Sequence, residues 1–117
     1  MALRYFPAAR RDIKAALKWS NEKFRQEAAQ RYKKLIHVVL SEITANPQLD
    51  HSHEVHGLQA GIRLYHLRHS RKRAAVDGQF VRNPRHFVAY TVRDEDTLIV
   101  RVLHDRMDLA RQLDTGP

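Results

Sequence analysis

The stretch that decides the fold is residues 8–45, "AARRDIKAALKWSNEKFRQEAAQRYKKLIHVVLSEITA". Ile13, Leu17, Ser20, Phe24, Ala28, Tyr32, Leu35, Ile36, Val39 and Ile43 recur at three- and four-residue steps, which puts them on one helical face. Arg10, Lys14, Lys18, Glu22, Arg25, Gln26, Gln30, Lys33 and Lys34 take the opposite face. No Gly or Pro interrupts the run, yet one helix of this length exceeds the usual ~8–20 residues. The spacing therefore predicts two helices with a break within residues 20–27. Periodicity alone does not place the break more closely. Pro7 suits a helical first turn, where its missing N–H is not needed. Asn46-Pro47 closes the second helix, because a residue before proline is pushed out of the helical region.

Outward from the helices, residues 3–6 are apolar and aromatic around Arg4 and read as a strand. Residues 47–61 have no clear period and read as a long connection. Residues 62–67 alternate, with Ile62, Leu64 and His66 on one side and Arg63, Tyr65 and Leu67 on the other, the pattern of a strand. Residues 68–85 read as a basic, polar loop. Residues 86–92 and 97–103 are two more strands, joined through "RDED" as a hairpin. "MDLARQL", residues 107–113, suits a short terminal helix, and residues 115–117 are expected to fray. Strand, helix, helix, strand, strand, strand is an α+β order: a helical hairpin over one face of an antiparallel sheet.

The chain has 117 residues, enough for one domain with a modest core, expected to span residues 1–117. Charges at Arg4, Arg10, Arg11, Asp12 and Lys14 break up any apolar signal core near the start, and no apolar run approaches a membrane span. Without cysteine, disulfides and thiolate metal sites are excluded, which fits a reducing cytoplasm. A net charge of +8 draws the chain toward polyanions, either nucleic acid or an acidic protein.

Three segments carry residues suited to chemistry. "DHSHEVH", residues 50–56, holds His51, His53 and His56 beside Asp50 and Glu54, all possible zinc ligands. Their spacings of two and three on a loop do not make the i, i+4 face of a helical zinc motif, so a solvated loop without metal is expected. "HLRHSRKR", residues 66–73, and "VRNPRH", residues 81–86, would lie at one end of the sheet if their strands pair. Arg63, Arg68, Arg71, Arg73, Arg82, Arg85 and Arg106 are then candidates for partner contact. The third is "LHDRMD", residues 103–108. His104 and Arg106 there, with His66, Arg68 and His86, are the residues an RNA-cleaving site would use for acid–base transfer and charge stabilisation. The competing reading is structural: Arg106 pairs with Asp105 or Asp108, and Met107 pins the terminal segment. That reading is the expectation here. Tyr65 and Tyr90 are expected to be structural, and Trp19 to sit at the hairpin edge or in an interface.

"FPAARRDIKAALKWSNEKFRQEAAQRYKKLI" ahead of "NP", "GLQAGIRLYHLRHSR", "PRHFVAYTV" and "IVRVLHDRMDLARQL" together resemble the ParE toxins of the RelE/ParE superfamily, over roughly residues 3–113. These are the toxin halves of bacterial type II toxin–antitoxin operons, some serving plasmid stabilisation. The resemblance implies a strand, a helical hairpin, a three-stranded antiparallel sheet and a short C-terminal helix, with no cofactor. It implies a cognate antitoxin, often ParD-like, whose acidic disordered C-terminal region wraps the toxin. ParE-like members are associated with inhibition of DNA gyrase. RelE-like members cleave mRNA on the ribosome with basic residues and often a tyrosine near the C-terminus. This chain has no tyrosine after Tyr90, so the resemblance favours a gyrase-binding inhibitor. A ribosome-dependent endoribonuclease and a non-toxic antitoxin-binding member are the alternatives. Residues 70–83 look longer than the usual connection at this point, as functional loops often are.

Overall fold

A computed structural model describes residues 2–54 and 61–106. In it, β1 (Leu3–Tyr5) leads into α1 (Pro7–Phe24) and α2 (Gln26–Ala45). Then follow β2 (His53–Glu54), β3 (Arg63–His66), a 3-10 turn (Leu67–Ser70), β4 (His86–Arg93) and β5 (Asp96–His104). The strands form one sheet in the order β1-β5-β4-β3-β2.

The helix break falls at Arg25, which ends α1 and begins α2. Its φ of 97° and ψ of 168° lie in a region that only glycine enters freely. One residue in that conformation reverses the chain without a loop. The apolar stripe of both helices then buries Ala16, Tyr32, Leu35, Ile36, Val39 and Ile43 against Tyr65, Val88, Tyr90, Ile99 and Val102 of the sheet. Alternation along β3 holds as expected. Tyr65 joins this main core, while Leu64 joins a second cluster with Ile62, Phe87, Ala89 and Leu103.

Several expectations need correction. The sheet is mixed, not purely antiparallel: β1 runs parallel to β5, pairing Leu3 with Thr97 and Tyr5 with Ile99. A parallel neighbour needs a long crossover, and the helical hairpin begins one. The strand read over residues 62–67 is shorter, because Leu67 already belongs to the 3-10 turn. Residues 47–61 are not without regular structure, since His53 and Glu54 add an edge strand on β3. Two residues are too few for a periodic signal. Residues 68–85 include a tight reversal in which Val76 and Gln79 exchange both backbone hydrogen bonds around Asp77 and Gly78. Both turn residues have positive φ, 52° and 77°, as an Asp-Gly hairpin turn requires. In "RDED" the loop is only Asp94-Glu95, with Arg93 paired to Asp96. The expected helix over residues 107–113 lies outside the described residues.

β1 is three residues long and β5 nine, so β5 outruns its neighbour. A register shift at Ala89/Tyr90 marks a bulge at that level. There Asp12 of α1 replaces the missing strand. Its carboxylate accepts the Val102 backbone N–H at 2.9 Å and the Arg101 guanidinium at 2.7 and 3.0 Å. This contact fixes α1 across the sheet edge.

Candidate functional site

The register of β4 and β5 pairs His86 with His104, so the first residue of one strand and the last of the other stand side by side. Their rings meet edge to face at 5.3 Å. Trp19 comes down from α1, 5.4 Å from His86, 5.7 Å from His104 and 6.0 Å from Tyr32, each in an edge-to-face arrangement. Trp19 is thus the hub of an aromatic box at the strand end.

The polar atoms of the box have defined roles. The Tyr32 hydroxyl accepts the Arg85 backbone N–H at 3.1 Å. It stays protonated, because burial pushes it up to about 12 against the opposing Arg85 hydrogen bond. Its proton is therefore free to be donated to His86 Nδ1, 2.5 Å away. His86 is 5% exposed, and burial, helped by the neighbouring His104, pushes it down to about 4. His86 is accordingly a neutral imidazole with its proton on Nε2.

Asp105, one residue past β5, ties three elements together. Its carboxylate accepts from His66 Nε2 at 3.1 Å and from Arg85 at 3.1 and 2.9 Å. Its backbone N–H reaches the Arg85 carbonyl at 2.8 Å. Desolvation raises the Asp105 carboxyl, but the His66 and Arg85 hydrogen bonds and the Arg85 charge outweigh it and leave the group below the usual carboxylate range. His66 has both nitrogens engaged, since Nδ1 accepts the Arg68 backbone N–H at 3.0 Å. Burial chiefly holds its pKa down. His104 Nδ1 accepts the Arg106 backbone N–H at 3.2 Å.

Of the residues singled out from sequence, His66, His86, His104 and Arg85 do converge at one sheet end, around Asp105 and Tyr32. The expected pairing of Arg106 with Asp105 is replaced by Arg85 and His66, because those side chains arrive from neighbouring strand ends; Asp108 and Met107 lie outside the described residues. Arg63 and Arg73 are engaged within the fold, although the Arg73 side chain is still 56% exposed. Arg63 donates to the Ser52 hydroxyl at 2.8 Å and the Ser52 carbonyl at 2.9 Å. Arg73 pairs with Glu42 of α2 at 2.5 Å. Burial raises Glu42, and the Arg73 and Ser70 hydrogen bonds with the Arg73 charge bring it below its ordinary value. Arg68, Arg82 and Arg106 are exposed and Arg71 is half-exposed. His51 stacks on His69 at 4.1 Å, His53 bonds to the His51 carbonyl, and His56 is outside the described residues. Among the described residues no group of three His, Asp or Glu gathers as metal ligands.

Tyr32, Trp19 and Asp12 were missed as organisers of this end of the fold. Tyr32 carried the one available signal: a hydroxyl on an otherwise apolar buried face must find partners.

The comparisons with known proteins fit this architecture. The family described as "ParE toxin of type II toxin-antitoxin system, parDE" matches residues 3–109, and the chain belongs to that family. No curated protein sequence matches it. The isolated E. coli RelE toxin shares the fold at a TM-score of 0.51 and 14% identity, over 97% of this chain and 94% of that one. A chain of the E. coli DinJ-YafQ toxin-antitoxin complex is similar at a TM-score of 0.48 and 17% identity, over 87% and 89% of the two chains.

Proposed function

We propose that this toxin acts by binding DNA gyrase and performs no covalent chemistry, and that a cognate, ParD-like antitoxin with an acidic C-terminal region neutralises it. One observation carries the non-catalytic reading. Of the imidazoles that RNA cleavage would use, His66 is engaged through both nitrogens, His86 is buried against Tyr32, and His104 has its Nδ1 occupied by the Arg106 backbone N–H. A general base must reach the proton it removes, and a buried imidazole at about 4 with its Nδ1 occupied is poorly placed to do so. The outward arginines 68, 71, 82 and 106 and the +8 charge suit docking and charge complementarity.

Pulse labelling after induction of the chain alone in bacterial cells tests the reading. Thymidine incorporation is expected to fall before methionine incorporation, and purified protein is expected to inhibit gyrase supercoiling. Methionine incorporation falling first would overturn it in favour of a ribosome-dependent ribonuclease with His104 and Arg106 as the leading residues.

A further inference from the structure

A cavity of about 590 Å³ lies between the tip of the helical hairpin and residues 78–83, adjoining the strand-end box through Tyr32 and through Phe24, whose ring meets Trp19 edge to face at 5.7 Å. Three features line it, and a fourth lies beside it. Phe24 stands 55% exposed on one wall, unusual for a large aromatic, with Ala28 beside it and Phe80 opposite. Arg31 and Arg82 line the same cleft, which contains no carboxylate. Neither arginine forms an ion pair among the described residues. The Ser20 hydroxyl is 1% exposed and finds no hydrogen-bond partner among the described residues. A buried hydroxyl left without a partner is unfavourable. Finally, the strained Arg25 backbone immediately follows Phe24 and sets the position of the hairpin tip.

We propose that this cleft receives an acidic peptide segment, with an apolar side chain between Phe24 and Phe80 and an adjacent carboxylate held by Arg31 and Arg82. The Tyr32 hydroxyl, which also borders the cleft, is already committed to His86 and Arg85 and takes no part. The inference rests on the toxin being neutralised by an acidic partner, and it names where one anchor of that partner sits. A half-open, mainly apolar cleft with two cations favours a peptide over RNA, whose backbone needs a row of cations to follow. The far wall comes from the segment whose length already stood out in the sequence, so the cleft depends on this chain's own loop.

The test is an amide NMR titration of the full chain with an acidic hexapeptide carrying one central phenylalanine. Shifts are expected at Ser20, Phe24, Arg31 and residues 78–83. The same peptide with central alanine is expected to bind about tenfold more weakly, as is the original peptide to Arg31→Glu/Arg82→Glu. Arg4→Glu, at the opposite sheet edge, serves as a charge control and is expected to change affinity less than threefold. Shifts confined to the outer helical groove near Tyr5, Arg10 and Lys33 would overturn the proposal, as would no binding at millimolar peptide. An oligouridylate that shifts the cleft residues at lower concentration than the peptide would also overturn it. Failure of gyrase inhibition would appear in the supercoiling assay and leave this titration unchanged.

Discussion

Lowering the pH from 7 to 5 should destabilise this protein through His86, well above the range where carboxylates titrate. His86 is 5% exposed, accepts the Tyr32 proton on Nδ1 and faces a second imidazole, His104. Arg85 and Asp105 also lie against this group, with opposite charges already paired to each other. Burial takes the pKa from 6.5 in the open chain to about 4 in the fold. The sign follows from proton uptake. Between those values the unfolded chain binds the proton and the folded chain does not, so stability is full above about 6.5 and falls as pH drops toward 4. Integrating over pH 7 to 5 with these two values gives a loss of about 2 kcal/mol. Urea unfolding at pH 7, 6 and 5 measures it. His66, whose pKa burial also lowers, adds to the slope in the same direction.

His86→Asn keeps an acceptor near the Tyr32 hydroxyl and removes the titration. The variant is expected to be less stable at pH 7, having lost the contacts with Trp19, but to lose about 2 kcal/mol less on going to pH 5. Proton NMR of the wild-type imidazoles gives an independent reading that does not depend on the variant folding. A His86 ring that titrates near 6.5, or an unchanged pH slope in the variant, would refute the reasoning.

Asp12→Ala removes both the Arg101 partner and the acceptor for the Val102 N–H, and is expected to lower stability by about 2–3 kcal/mol in urea unfolding. Asp105→Asn breaks a more exposed pair and is expected to cost about 1 kcal/mol, measured the same way; its contribution is present above about pH 4 and disappears as pH falls through the lowered carboxyl pKa. Arg25→Gly relieves a backbone conformation that glycine adopts freely and is expected to raise stability by about 1 kcal/mol, seen as a higher thermal midpoint.

The helical hairpin was legible because its signal is long: ten stripe positions at helical spacing leave little freedom, and only the point of reversal was hidden. That point is Arg25, and nothing about an arginine announces a positive φ. The β4–β5 hairpin was legible for the same reason, whereas the two-residue β2 offered no period to read. Asp-Gly at residues 77–78 is a recognised turn signal, but it sits in a stretch with no flanking alternation, so the sequence there reads only as loop. Asp12 was invisible for a different reason. Its role depends on β1 being shorter than β5, and that mismatch exists only once the sheet is assembled.

The site was less legible than the fold because composition counts charges without saying which are already spent. Arg63, Arg73 and Arg85 look no different in sequence from Arg68, Arg82 and Arg106. The first group is held by Ser52, Glu42 and Asp105, so substituting one of them perturbs the fold before it perturbs any partner. The second group reaches solvent, where a charge is available to a partner at little conformational expense. The strand-end "HDR" divides along the same line. Asp105 ties His66 and Arg85 to the end of β5 and the His104 ring packs on Trp19 and His86, while Arg106 is exposed. A strand that ends on titratable residues is therefore weak evidence for catalysis until their hydrogen-bonding capacity has been accounted for. Here most of that capacity is used in holding the sheet end together, whereas Ser20, Arg31 and Arg82, near the hairpin tip, have no hydrogen-bond or ion-pair partner for their side chains among the described residues.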